Sequence, residues 1–140
     1  MPQHVVHVED DKPLRQILEL ALRATEPQID LHQFVTAEDA LPYIQAHAPL
    51  IDLFLLDLRL PGKMTGLDLA KMIRDVRCPG FIIITSAYNT PDSTLLKSLQ
   101  AEYFPKPWHL MDISQRLLGY RLNLGRTSLT QSSSSAATAS

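Results

Sequence analysis

The spacing of apolar residues changes period several times along the chain, and each change marks an element. Residues 3–8, QHVVHV, are rich in β-branched side chains and run into Glu9-Asp10-Asp11. That pattern predicts a strand ending in a loop. Pro13 suits the first turn of a helix, and Leu14, Ile17, Leu18, Ala21 and Leu22 follow at helical spacing, so a helix is expected over 13–25. LHQFV at 31–35 reads as a second, weaker strand. Thr36 can cap a helix over 37–47; Pro42 inside it removes one backbone donor and predicts a short or bent helix.

The second half repeats the alternation. IDLFLL at 51–56 is a continuous apolar strand with Asp57 at its end, and LRLPGKMTG is the loop that follows. LDLAKMIRDV at 67–76 has helical periodicity, FIIIT at 81–85 reads as a buried strand, and 91–100 as a helix opened by Pro91. EYFP at 102–105 is a short strand, and a last helix is expected over 109–122. Five β-α units result. Strands apolar on both faces need helices on both sides of a parallel sheet, and right-handed crossovers make that a doubly wound α/β fold. From Gly125 to Ser140 the chain reads GRTSLTQSSSSAATAS, which has almost nothing to bury. Residues 1–124 are therefore expected to form one domain and 125–140 a disordered, Ser-rich tail or linker.

Bulk properties narrow the function. Thirteen basic against fifteen acidic residues leave a net charge of −2, without the basic excess of a domain that binds nucleic acid directly. No apolar run approaches the length needed to cross a bilayer, and no leader pattern opens the chain. The one cysteine, Cys78, cannot form an internal disulfide. A cytoplasmic location is expected, with no membrane contact.

In open α/β sheets, ligands bind outside the carboxyl ends of the strands. Those ends carry Glu9 and Asp10, then Asp57, then Thr85 and Ser86, then Lys106. Carboxylates gathered so closely repel each other, and a divalent cation resolves the conflict. Oxygen ligands with open positions suit Mg²⁺, which keeps waters and accepts phosphate oxygens. The bland readings are weighed at each position. Acidic residues after a strand commonly cap the next helix, the role assigned to Asp11. Alone, Thr85 is a strand-end hydroxyl, Lys106 a surface charge and Tyr103 core packing. His4 and His7 alternate with valines and lack a second ligand at metal spacing, so they are read as structural. Cys78, in a loop beside Pro79, is given no role.

The segments Val8-Glu9-Asp10-Asp11, Asp57-Leu58-Arg59-Leu60-Pro61-Gly62 with Gly66, Thr85-Ser86-Ala87, and Tyr103-Phe104-Pro105-Lys106-Pro107 resemble the motif set of the CheY-like response-regulator receiver family. The resemblance covers residues 4 to about 122. It implies a flavodoxin-like five-stranded sheet of order 2-1-3-4-5. It implies Asp57 as phosphoacceptor, and Mg²⁺ held by Asp10, by Glu9 partly through water, by Asp57 and by the backbone carbonyl of Arg59. Thr85 would read the phosphoryl group, Lys106 would pair with Asp57 and then with phosphate, and Tyr103 would switch rotamer. The sequence departs from the family twice: the Asp57–Gly66 loop is one residue longer than usual, and Thr85–Lys106 one shorter. Between the adjacent hydroxyls, Thr85 is favoured because a β-branched residue fits the end of the strand, leaving Ser86 at a small-residue position.

The implied function is a two-component switch, with a histidine kinase or histidine phosphotransfer protein as donor and a downstream effector at the 91–122 face; a homodimer is compatible with it. The expected module is not an enzyme in its own right, beyond promoting its own phosphorylation and dephosphorylation. Two rivals remain. A haloacid-dehalogenase-like phosphatase also forms an aspartyl-phosphate but carries a second Asp two residues on, where this chain has Arg59. A receiver-like scaffold that is never phosphorylated would not need the full set of site residues.

Overall fold

A computed structural model describes residues 3–87 and 90–106. Within them, five strands alternate with four α-helices: β1 His4–Val8, α1 Lys12–Thr25, β2 Asp30–Phe34, α2 Ala37–His47, β3 Leu53–Asp57, α3 Gly66–Asp75, β4 Phe81–Ser86, α4 Ser93–Leu99 and β5 Ala101–Pro105. A 3₁₀ turn, Ala48–Leu50, separates α2 from β3. All pairings are parallel and the strand order is β2-β1-β3-β4-β5, as the resemblance implied. The expected helix over 109–122 and the boundary near Leu124 lie outside the described residues.

Alternation along the strands divides the core in two. Val6, Val8, Phe54, Leu56, Ile82 and Ile84 pack against Ala40 and Ile44 of α2, Leu69 and Ile73 of α3, and Leu99 of α4. Val5, Leu53, Leu55 and Ile83, on the other face, pack against Leu18 and Leu22 of α1. Burial of this kind, at roughly 25 cal/mol per Å² of apolar surface, is the main term holding the sheet between its helices.

Local signals explain most boundaries. Asp11 caps α1, accepting from the Leu14 N–H at 3.1 Å. Thr65 and Asp68 form a reciprocal capping box that starts α3. The helix α2 keeps its full predicted span through Pro42; losing one donor does not shorten it, because Ala40 and Ile44 on either side are anchored in the core. β3 starts at Leu53, not Ile51, since Ile51 still bonds back to Ala48 of the 3₁₀ turn. It also extends one residue further and contains Asp57.

Two fixtures stand at opposite ends of the sheet. At the carboxyl end, Gly66 packs its Cα against the backbone of Asp57: a Cβ there would run into the Asp57 carbonyl oxygen. At the amino end, the Arg74 guanidinium donates to the carbonyls of Leu99 (2.7 Å), Cys78 (2.9 Å), Gly80 (2.9 Å) and Gln100 (3.2 Å). It thereby joins α3 to the entry of β4 and to the α4–β5 turn, where Gln100 takes the left-handed conformation (φ 53°). Cys78 is buried, and its thiol donates to the Ala48 carbonyl.

Candidate functional site

The carboxyl ends of β1, β3, β4 and β5 meet around one shallow cavity of about 270 Å³, lined by Glu9, Asp10, Asp11, Asp57, Arg59, Ser86, Ala87 and Lys106. A larger cavity, near 490 Å³, lies at the amino end among Gln3, Asp52 and Arg74. Size does not locate the chemistry here, since Glu9, Asp10, Asp57 and Lys106 converge on the smaller one.

Asp57 is placed by β3, buried to 7 % exposure. One carboxylate oxygen accepts from the Arg59 N–H at 3.3 Å and the other from Lys106 Nζ at 3.2 Å. Glu9, at 1 % exposure, follows β1 directly. It accepts from Lys106 Nζ at 2.7 Å and from the Asp11 N–H at 3.2 Å. Asp10 is exposed, yet one carboxylate oxygen each from Glu9, Asp10 and Asp57 falls within a 4.8 Å group. Lys106 reaches the pair because its own N–H is held to the Ser86 carbonyl at 2.9 Å, in continuation of the β4–β5 ladder.

The electrostatics follow from this crowding. Burial pushes the Glu9 carboxyl up to about 7; the Asp57 charge adds to the rise, and the Lys106 ammonium works against it. Burial also opposes the charge on Lys106, but its hydrogen bond to Glu9 and the charges of Glu9 and Asp57 outweigh it and raise the ammonium's pKa. One cation thus holds two buried carboxylates, with a third at the mouth. The donor set is all oxygen, so it fits a hard divalent cation such as Mg²⁺.

The structure brings Glu9, Asp10, Asp57 and Lys106 together as the sequence reading expected, with Arg59 at the rim. The hydroxyls divide differently. Ser86 lines the cavity. Thr85, expected there, stands opposite Asp57 in the β3–β4 register, and its hydroxyl is buried with no hydrogen-bond partner among the described residues. Tyr103 pairs in register with Ile84. Strand alternation therefore puts Tyr103 on the face of Ser86 rather than that of Thr85. Sequence reasoning missed this because the β4–β5 register is non-local; reading β4 by its period from Ile84 was the available signal. The long β3–α3 loop is tied down by Glu38, whose carboxylate accepts from the N–H groups of Lys63 (2.8 Å) and Met64 (3.0 Å).

Comparison with known proteins places these features among relatives. A family profile described as the response regulator receiver domain matches residues 5–118. The sensory transduction protein LytT of Bacillus subtilis strain 168 is 28 % identical over 120 residues, covering 84 % of this chain and 47 % of that protein. The chain thus spans about half the length of that relative. Among solved structures, the signal receiver domain of a putative Luxo repressor protein from Vibrio parahaemolyticus superimposes with a TM-score of 0.76 at 26 % identity, covering 94 % of this chain and 96 % of the other. A CheY-like response regulator receiver domain from Methanospirillum hungatei JF-1 shares the fold, with a TM-score of 0.77 at 20 % identity, covering 91 % of this chain and 99 % of the other.

Proposed function

The chain belongs to the response regulator receiver domain family, and from that premise we propose that it is a phosphorylation-dependent switch whose Asp57 accepts a phosphoryl group from a histidine kinase or histidine phosphotransfer protein. The observation that carries this reading is the buried Asp57 carboxylate at the end of β3, held by Lys106 and crowded by Glu9 and Asp10. In the transfer, an Asp57 oxygen attacks phosphorus and the P–N bond to the donor imidazole breaks. Catalysis is positioning and charge neutralisation, as in phosphoryl transfer generally. Lys106 supplies one positive charge to the phosphoryl oxygens. Glu9, Asp10 and Asp57, with the Arg59 carbonyl, would hold Mg²⁺, which neutralises the remaining charge on those oxygens.

Ser86 is the hydroxyl proposed to read the phosphoryl group, in place of Thr85, because it lines the cavity on the face of Tyr103. The new charge draws Ser86 and Lys106 inward, and Tyr103 follows into the space vacated. The effector surface is proposed over α4 and β5 and on toward residue 122.

Incubation of the full chain with Mg²⁺ and acetyl phosphate, followed by intact-mass spectrometry, tests the reading. Wild type is expected to gain one acid-labile phosphoryl group and Asp57→Asn none. Equal labelling of both removes Asp57 from its role.

A further inference from the structure

At the amino end of the strands, remote from the acidic cavity, a second group of ligating side chains converges. His4 opens β1 and Asp30 opens β2, and the two are direct register partners. His32 is two residues further along β2, so it lies on the same face as Asp30. Among the described residues, His4, Asp30 and His32 each offer one ligand atom within a 4.8 Å group. Asp30 bridges the other two: one oxygen is 2.9 Å from His32 Nε2, the other 3.8 Å from His4 Nδ1. Zinc–nitrogen and zinc–oxygen bonds near 2.0–2.1 Å put tetrahedral neighbours about 3.3 Å apart, a spacing within reach of ligand atoms that all lie within 4.8 Å of one another.

The surroundings add a second observation. The remaining nitrogen of His4, Nε2, lies 2.7 Å from the Tyr43 hydroxyl. A metal-bound histidine is oriented in this way, one ring nitrogen held by a polar partner and the other presented to the ion. Tyr43 in turn stacks on His47 (centroids 4.1 Å apart) and lies 4.5 Å from the His32 ring, giving the group an aromatic wall from α2. An ordinary surface ion pair needs only Asp30 and one histidine. Here two imidazoles share one carboxylate, and one imidazole is fixed from behind.

We propose that His4, Asp30 and His32 form a site for a divalent transition-metal ion of the zinc class, with Tyr43 as the residue that positions His4. Imidazole with carboxylate suits Zn²⁺, Ni²⁺ or Cu²⁺ better than the oxygen-seeking Mg²⁺. Three protein ligands leave a fourth position for water on the solvent side, where the Asp30 and His32 side chains are 51 % and 36 % exposed. The bound ion clips the edge strand β2 to β1. The site shares no residue with the phosphoryl-accepting cavity and does not depend on that reading.

The test is a Zn²⁺ titration of the metal-stripped 140-residue chain against a competing chromophoric chelator, with Mg²⁺ in excess and in an Asp57→Asn background that weakens the acidic cavity. One zinc per chain is expected, with a rise in melting temperature. Asp30→Asn and His32→Ala, at an exposed and a half-buried position of an edge strand, should each lower zinc affinity at least about tenfold and abolish the rise in melting temperature. Tyr43→Phe should cost on the order of tenfold in affinity. His4 is largely buried, so His4→Ala is replaced by an NMR readout of the His4 ring, which should shift on zinc addition. Absence of stoichiometric zinc binding overturns the proposal. So does undiminished binding by His32→Ala, which would place the zinc on other ligands.

Discussion

The Tyr103 hydroxyl donates to the backbone carbonyl of Ser86 at 3.3 Å. The aromatic residue expected to move is thus already bonded to the residue whose side chain lines the acidic cavity, and the register places both on one face of the sheet. The shared face, more than this main-chain contact, allows the two neighbouring hydroxyls to be separated experimentally. Ser86→Ala should still accept a phosphoryl group on Asp57 but lose the chemical-shift response around Tyr103 when beryllofluoride is added. Thr85→Val should keep that response. Removing a buried hydroxyl without a partner should also leave stability unchanged or raise it by up to about 1 kcal/mol. NMR spectra of the two variants decide the matter, and the opposite pattern returns the role to Thr85.

Glu9 carries a pH signature. Its carboxyl is raised to about 7 in the fold from near 4.5 in the unfolded chain, so the folded state prefers the protonated form. Stability without metal is expected to fall as pH rises from 4.5 to 7 and to stay low above that. Glu9→Gln removes the penalty. It should stabilise the metal-free protein at pH 8 by on the order of 1–3 kcal/mol and give no gain at pH 4. Urea melts at the two pH values, with chelator present, measure this. A stabilisation independent of pH would assign the effect to packing instead.

Lys106 has the converse role. Lys106→Met leaves the buried Glu9 and Asp57 carboxylates without their cation and should cost on the order of 3 kcal/mol at pH 8 in the absence of metal. Added Mg²⁺ should restore part of the loss by supplying the missing charge. Thermal melts with and without 10-fold steps in Mg²⁺ concentration would show whether the variant's melting temperature rises more steeply than that of wild type.

His7 predicts the acid limb. It is fully buried, and burial, followed by the charges of Lys106 and Arg15, lowers its pKa to about 3. The unfolded chain takes up this proton near pH 6.5 and the folded one does not. The contribution is intact above 6.5 and is lost as pH falls from there toward 3, at up to about 1.4 kcal/mol per unit. His7→Gln, neutral throughout, should show a shallower decline between pH 6.5 and 4 in denaturant melts.

Gly66 should not tolerate a side chain. Gly66→Ala drives a methyl into the Asp57 carbonyl and is expected to destabilise by about 2 kcal/mol or more. It should also slow phosphorylation by displacing the Asp57 backbone, which the labelling assay above can time.

The fold and the acidic cluster were legible because their signals are local. Alternating apolar runs, the Asp11 and Thr65 caps and the acids at strand ends are each read within a few residues. Less was legible where distant segments decide. The end of β4 could not be oriented without its pairing to β5, which is why the sequence reading favoured Thr85 where the cavity lining favours Ser86. His4 looked isolated because its partners, Asp30 and His32, come from the next strand, about thirty residues away in sequence but opposite in register. The start of β3 was read two residues early because Ile51 is apolar and buried, although its backbone closes a turn.

In the proposed switch the four-carbonyl grip of Arg74 would serve as a fulcrum. It clamps the amino ends of β4 and β5, while Ser86 and Lys106 sit at their carboxyl ends. A strand of six residues is about 20 Å long, so a pull of about 1 Å at the top tilts it by about 3° around the clamped base rather than sliding it through the sheet. Such a lever would keep the lower ladder in register while the upper ends move, and would pass the displacement sideways to the surface of β5. In that switch Arg74 would fix the direction of a signal it never touches.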